Sequence, residues 1–100
     1  MEIIHATEKD YNNIIKNKFV LVDFYADWCG PCKMLGTVLE DLKDEIQIVK
    51  VNVDECENLA RDYGVMSIPN MFLMKDGDII ASRLGYATKE DLQKWIKDNN

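Results

Sequence analysis

The stretch Val22-Asp23-Phe24-Tyr25-Ala26-Asp27-Trp28-Cys29-Gly30-Pro31-Cys32-Lys33 carries the end of an apolar strand, a tight turn bearing two cysteines and the start of a helix. From Phe19 to Ala26 the chain is β-branched, aliphatic or aromatic almost throughout, broken only by Asp23. That is the pattern of a strand covered on both faces. Beyond the cysteines, Met34, Leu35, Val38, Leu39 and Leu42 recur three or four apart, with Glu40, Asp41 and Lys43 between them, which predicts an amphipathic helix beginning at the cysteine pair. Gly30 permits the turn, and Pro31 fits a first helical turn because no backbone donor is needed there.

On the N-terminal side, a short strand around Ile3 to His5 precedes Thr7-Glu8-Lys9-Asp10, an N-cap with an acid three residues on, and Tyr11, Ile14 and Ile15 then follow at helical spacing. On the C-terminal side, Ile46 to Val53 reads as a second apolar strand, and Asn58 to Tyr63 as a short helix stopped by Gly64. Met71 to Met74 and Ile79 to Leu84 flank Lys75-Asp76-Gly77-Asp78, whose Asp-Gly pair predicts an antiparallel hairpin. Thr88-Lys89-Glu90-Asp91 opens a last helix through Leu92, Trp95 and Ile96. The order βαβαβα and then ββα implies an α/β fold, a mixed sheet with helices on both faces in a three-layer sandwich. No repeat, low-complexity stretch or Gly/Pro/Ser-rich linker divides the chain, so residues 1–100 are expected to form one domain.

Acidic residues outnumber basic ones 18 to 12, for a net charge of −6. Phosphate backbones are bound by clusters of Lys and Arg, so nucleic acid is not an expected partner. No apolar run nears the roughly 20 residues that span a bilayer, and Met1-Glu2-Ile3-Ile4-His5 lacks the basic-then-apolar character of a signal peptide. The expectation is a cytoplasmic protein that does not engage membranes. Its three cysteines agree, because a small secreted domain usually carries an even set spread along the chain.

A thiolate attacks a disulfide sulfur, and a second thiol close by can resolve the mixed disulfide. Cys29 and Cys32 have the spacing for this, and the helix N-terminus favours a thiolate on Cys29 while Cys32 lies one turn inside. The competing reading is half of a zinc site, but Cys56 and His5 are the only other thiol and imidazole, and no second ligand pair has finger or ribbon spacing. Asp23, inside an apolar strand, is expected to have a raised pKa unless paired.

The Val22 to Lys33 stretch resembles the active-site segment of thioredoxins. Lys50-Val51-Asn52-Val53-Asp54, Tyr63-Gly64-Val65, Ser67-Ile68-Pro69 and Leu84-Gly85 stand where that family has its other characteristic residues. The resemblance implies a central mixed five-stranded sheet flanked by four helices. It further implies a protein-disulfide reductase in which Cys29 and Cys32 form the redox-active disulfide. Asp23 would lie beneath the cysteines and assist proton removal from Cys32, with Lys50 as its neighbour; an ordinary Asp23 to Lys50 ion pair is the alternative. The general rate of X-Pro cis bonds would leave Ile68-Pro69 trans, whereas the family keeps it cis, against the cysteines. Trp28, Gly30, Pro31, Met66, Ile68, Pro69, Gly85 and Tyr86 would then border a patch for extended substrate polypeptide, the alternative for Met66, Ile68 and Tyr86 being plain core packing. The implied partners are a thioredoxin reductase and disulfide-containing proteins, with no bound cofactor or metal, and the chain is expected to be a monomer.

Several positions depart from the family pattern. Thr37, preceded by Gly36, replaces a frequent helix-bending proline, Tyr25 a frequent tryptophan, and Asn70 a frequent threonine. Cys56 reads as a half-buried, inert thiol more readily than a regulatory one, and His5 as structural. Two rivals use the same residues: a non-enzymatic module that holds a partner on the apolar patch, and an enzyme running toward disulfide formation or isomerisation.

Overall fold

The strand Phe19–Tyr25 (β2) lies at the centre of the molecule in a computed structural model that describes residues 1–100. Around it, in chain order, are β1 (Ile4–His5), α1 (Tyr11–Ile14), α2 (Gly30–Leu42), β3 (Gln47–Asn52), α3 (Glu57–Asp62), β4 (Asn70–Lys75), β5 (Asp78–Leu84) and α4 (Lys89–Asn99). The five strands are ordered β1-β3-β2-β4-β5. β3 runs parallel to both β1 and β2, while β4 is antiparallel to β2 and β5. This is the mixed five-stranded sheet with four helices that the family resemblance implied.

Alternation along β2 explains the three layers, because successive side chains leave opposite faces of a strand. Val20, Val22 and Phe24 join Tyr11, Ile15, Val49, Val51, Ala60 and Phe72 in one core, beneath α1 and α3. Leu21 joins Leu35, Leu39, Leu42, Ile48, Leu73 and Leu92 in the other, beneath α2 and α4. Asp23 has the parity of Leu21, so it faces the α2 side and is fully buried there.

Except at the start of α1, local signals produced the predicted boundaries to within a residue or two. Thr7 and Asp10 cap each other, at 2.7 Å from the Thr7 N–H to the Asp10 carboxylate and 3.3 Å from the Asp10 N–H to the Thr7 hydroxyl, although the α-helix begins only at Tyr11. Thr88 and Asp91 form the same reciprocal box at the head of α4. At the β4–β5 turn Asp76 and Gly77 have φ of 53° and 87°. A two-residue hairpin needs positive φ at both positions, which Asp tolerates and Gly favours.

Candidate functional site

The site forms where β2 delivers the chain into α2. Cys29 is the N-cap of α2, with extended backbone, and its Sγ accepts the Cys32 N–H at 3.3 Å. Cys29 and Cys32 are joined as a disulfide, their Cα atoms 5.2 Å apart. Both are buried, while Gly30 and Pro31 between them are exposed. The first turn of a helix leaves several N–H groups without intrahelical partners, so a negative sulfur at the N-cap meets donors and the positive end of the dipole.

Ile68-Pro69 is cis, as the family resemblance implied and as general X-Pro statistics did not. Pro69 is buried, and the Ile68 carbonyl oxygen lies 3.9 Å from Cys29 Sγ. Gly85, at φ 84°, donates its N–H to the Pro69 carbonyl at 2.8 Å, tying the end of β5 to this loop. A side chain at that φ would be strained, which accounts for glycine there. Beside the disulfide lies a groove of about 570 Å³ whose lining includes Trp28, Pro31, Val53, Val65, Met66 and Ile68. Trp28 is 70% and Met66 96% exposed, so core packing does not explain either. Ile68 is half-buried, and Tyr86 is exposed but, like Gly85, lies outside the groove lining.

Beneath the cysteines Asp23 pairs in register with Lys50 on β3. Neither carboxylate oxygen has a hydrogen-bond partner, and the two residues form no contact ion pair. Burial raises the Asp23 pKa from 3.8 to about 6, against a smaller downward pull from the Lys50 charge. The simple ion-pair alternative is therefore not what the side chains do. Lys50 Nζ instead sits 4.3 Å above the centre of the Tyr25 ring, a cation–π geometry. It lies where a Cβ on Gly36 would come within 3.6 Å. Lys50 and Cys32 border a common cavity of about 610 Å³, with Tyr25, Gly36 and Glu40.

Two contributors were missed from the sequence. Asp54 accepts the Trp28 Nε1 hydrogen at 2.8 Å and so holds the indole at the groove's edge. Glu8 caps α3 from outside it, accepting the backbone N–H groups of Asn58 at 2.7 Å and Leu59 at 3.1 Å. No periodicity joins residues so far apart in the chain. Cys56 corrects an expectation: it is fully rather than half buried, in the α1–α3 core, where burial and then the charges of Glu8, Glu55 and Asp10 raise its pKa. His5 is exposed on the edge strand β1.

A family model described as Thioredoxin matches residues 2–98. A thioredoxin of Bacillus subtilis (strain 168) is 43% identical over 100 residues, covering 96% of each chain. A thioredoxin of Haemophilus influenzae is 36% identical over 104 residues, covering 98% of this chain and 97% of the relative. One of Chlorobaculum thiosulfatiphilum is 43% identical over 100 residues, covering 94% and 93% respectively.

Proposed function

Because this chain belongs to the thioredoxin family, we propose that Cys29 is its attacking thiol, Cys32 its resolving thiol and Asp23 the group that takes the resolving proton. The protein is a thiol–disulfide oxidoreductase that reduces protein disulfides by dithiol–disulfide exchange and is itself re-reduced by a thioredoxin reductase. The observation that carries the assignment of roles is the Cys29–Cys32 disulfide at the head of α2, flanked by the Trp28–Ile68 groove.

In the reduced protein, the Cys29 thiolate attacks one sulfur of a substrate disulfide. A Cys29–substrate bond forms, and the substrate's second sulfur leaves as a thiolate that takes up a proton. Cys32 then gives its proton to the ionised Asp23 carboxylate and attacks Cys29 Sγ, which expels the first substrate sulfur as a thiolate that takes up a proton, and closes the Cys29–Cys32 disulfide. Two electrons have passed to the substrate. Asp23 suits the proton step because a carboxyl that titrates near 6 exchanges protons at neutral pH. Lys50 holds the charge balance beneath it, and Trp28, Gly30, Pro31, Met66, Ile68 and Pro69 seat the extended substrate, with Gly85 and Tyr86 at the border.

Residues 1–100 act as one domain, as a monomer in the cytoplasm, a reducing compartment in which a free buried thiol such as Cys56 persists. No helix is long and apolar enough to cross a membrane. Reduction of insulin disulfides, coupled to a thioredoxin reductase, tests the roles. Cys29→Ser abolishes turnover, whereas Cys32→Ser accumulates a mixed disulfide through Cys29. Asp23→Asn slows resolution and removes its pH dependence between 6 and 8. Full activity in the Cys29→Ser, Cys32→Ser protein would instead make the chain a holding module.

A further inference from the structure

Past the rim of the substrate groove lies a second concavity, of about 340 Å³, lined by residues of β4, β5 and the segment between α3 and β4. α3 ends at Asp62, and Tyr63 and Gly64 directly after it line the space. Tyr63 and Phe72 form its apolar wall and are themselves packed edge to face, with ring centres 5.1 Å apart. Met66 and Ser67 line both this concavity and the groove beside Cys29, so the two adjoin. Leu84, 63% exposed, and Ser82 close the far side.

The unusual member is Asn70, the first residue of β4 and the one directly after Pro69. It is 7% exposed and lines this concavity, yet its side-chain amide makes no hydrogen bond within the chain. It is also not among the fully sealed, partnerless polar groups, which are the two Asp23 oxygens alone. Its remaining exposure therefore opens into the concavity. A nearly buried amide without an internal partner is an arrangement that needs a reason, because buried polar groups are normally paired. No charged residue lines the space, so an ionic ligand has nothing to pair with there. A primary amide offers one donor face and one acceptor, matching the C=O and N–H of a peptide unit.

We propose that this concavity is a second substrate subsite, in which the Asn70 amide hydrogen-bonds the backbone of the disulfide substrate a few residues from its reacting cysteine. The inference rests on the assignment of the Trp28–Ile68 groove as the substrate site. The segment leaves that groove over Met66 and Ser67 and lays a neutral side chain against Tyr63 and Phe72. Asn70 so contributes to selecting polypeptide disulfides over small ones.

Two measurements test it. The first compares kinetics on insulin and on hydroxyethyl disulfide, which is too small to reach Asn70. Asn70→Ala raises KM for insulin about fivefold to tenfold, the worth of one hydrogen bond, leaves kcat unchanged, and leaves reduction of the small disulfide unchanged. Asn70→Thr, which keeps a hydroxyl, restores part of the loss. Ser82→Tyr fills the same space from an exposed position and has the same selectivity even if Asn70→Ala does not fold. An unchanged KM in folded Asn70→Ala and Ser82→Tyr, or an equal loss on both disulfides, overturns the proposal.

The second measurement follows amide resonances in the Cys32→Ser protein carrying an extended single-cysteine peptide on Cys29. Shifts at Trp28, Ile68 and the Asn70 side-chain NH2 are expected. Shifts at Trp28 and Ile68 alone overturn the subsite and leave the groove standing; no shift at any of the three removes the groove and the subsite together. An Asn70 shift that tracks protein concentration without peptide assigns the face to a second copy of the chain and also overturns the proposal.

Discussion

Replacing Asp23 by Asn should make the oxidised protein more stable at pH 8 and hardly change it at pH 3. The Asp23 carboxyl rises from 3.8 to about 6 on folding because burial disfavours the anion more than Lys50 supports it. Each tenfold change in a proton-binding constant is worth roughly 1.4 kcal/mol, so the ionised form costs the folded state about 3 kcal/mol. Below about pH 3 the carboxyl is largely protonated in folded and unfolded chains alike, and that cost is absent. As pH climbs toward 6 the unfolded chain gives up its proton first, so stability falls; above about pH 7 the full cost is present. Asn is neutral throughout, and its unpartnered amide replaces an unpartnered neutral carboxyl, so the difference between the two pH values isolates the charge. Urea unfolding reads it directly. With a slope of roughly 1 to 3 kcal/mol per molar urea, the variant's midpoint should exceed that of the parent by about 1 to 3 M more at pH 8 than at pH 3. Equal midpoint changes at the two pH values, or a variant less stable than the parent at pH 8, would rule out a desolvated Asp23.

Gly36→Ala should stabilise the chain by about 1 kcal/mol, the helix-propensity difference, because the new Cβ meets Lys50 Nζ at an ordinary 3.6 Å. Thermal melting should rise by roughly 4 to 8 °C, and a fall would show that Lys50 cannot yield the space. Glu8→Ala should cost about 1 kcal/mol by leaving the first N–H groups of α3 uncapped, and urea unfolding in which the parent and variant coincide would remove that role. Cys56 should resist iodoacetamide in the folded, reduced protein at pH 8 while Cys29 is modified, because it is buried with a raised pKa. Peptide mass mapping distinguishes the two sites, and rapid labelling of Cys56 would contradict its burial.

Thr7 with Asp10, Thr88 with Asp91 and the Asp76-Gly77 turn were legible in the sequence because each acts on backbone groups within one turn of itself. β2 and α2 were legible because burial imposes a period on the chain, continuous apolarity for a strand covered on both faces and three-four spacing for a helix with one buried stripe. The Cys29–Cys32 pair at the head of α2 follows from those same local facts. The rest of the site came from the family resemblance or from the structure. Asp23 beside Lys50, Trp28 bonded to Asp54 and Glu8 on the N-terminus of α3 join residues that no local pattern couples. The isomer of Ile68-Pro69 is another such case, since general proline statistics favour trans.

Propensity, capping and periodicity are short-range properties, and for that reason the elements, their amphipathic faces and the chemistry at the head of α2 were already written in the order of the residues. The folded molecule alone reveals that β3 lies beside β2, that Asp23 is sealed without a partner and that Asn70 opens into a concavity. These depend on which distant surfaces the whole chain removes from water together, and the hydrophobic effect that drives this has no direction or sequence range of its own.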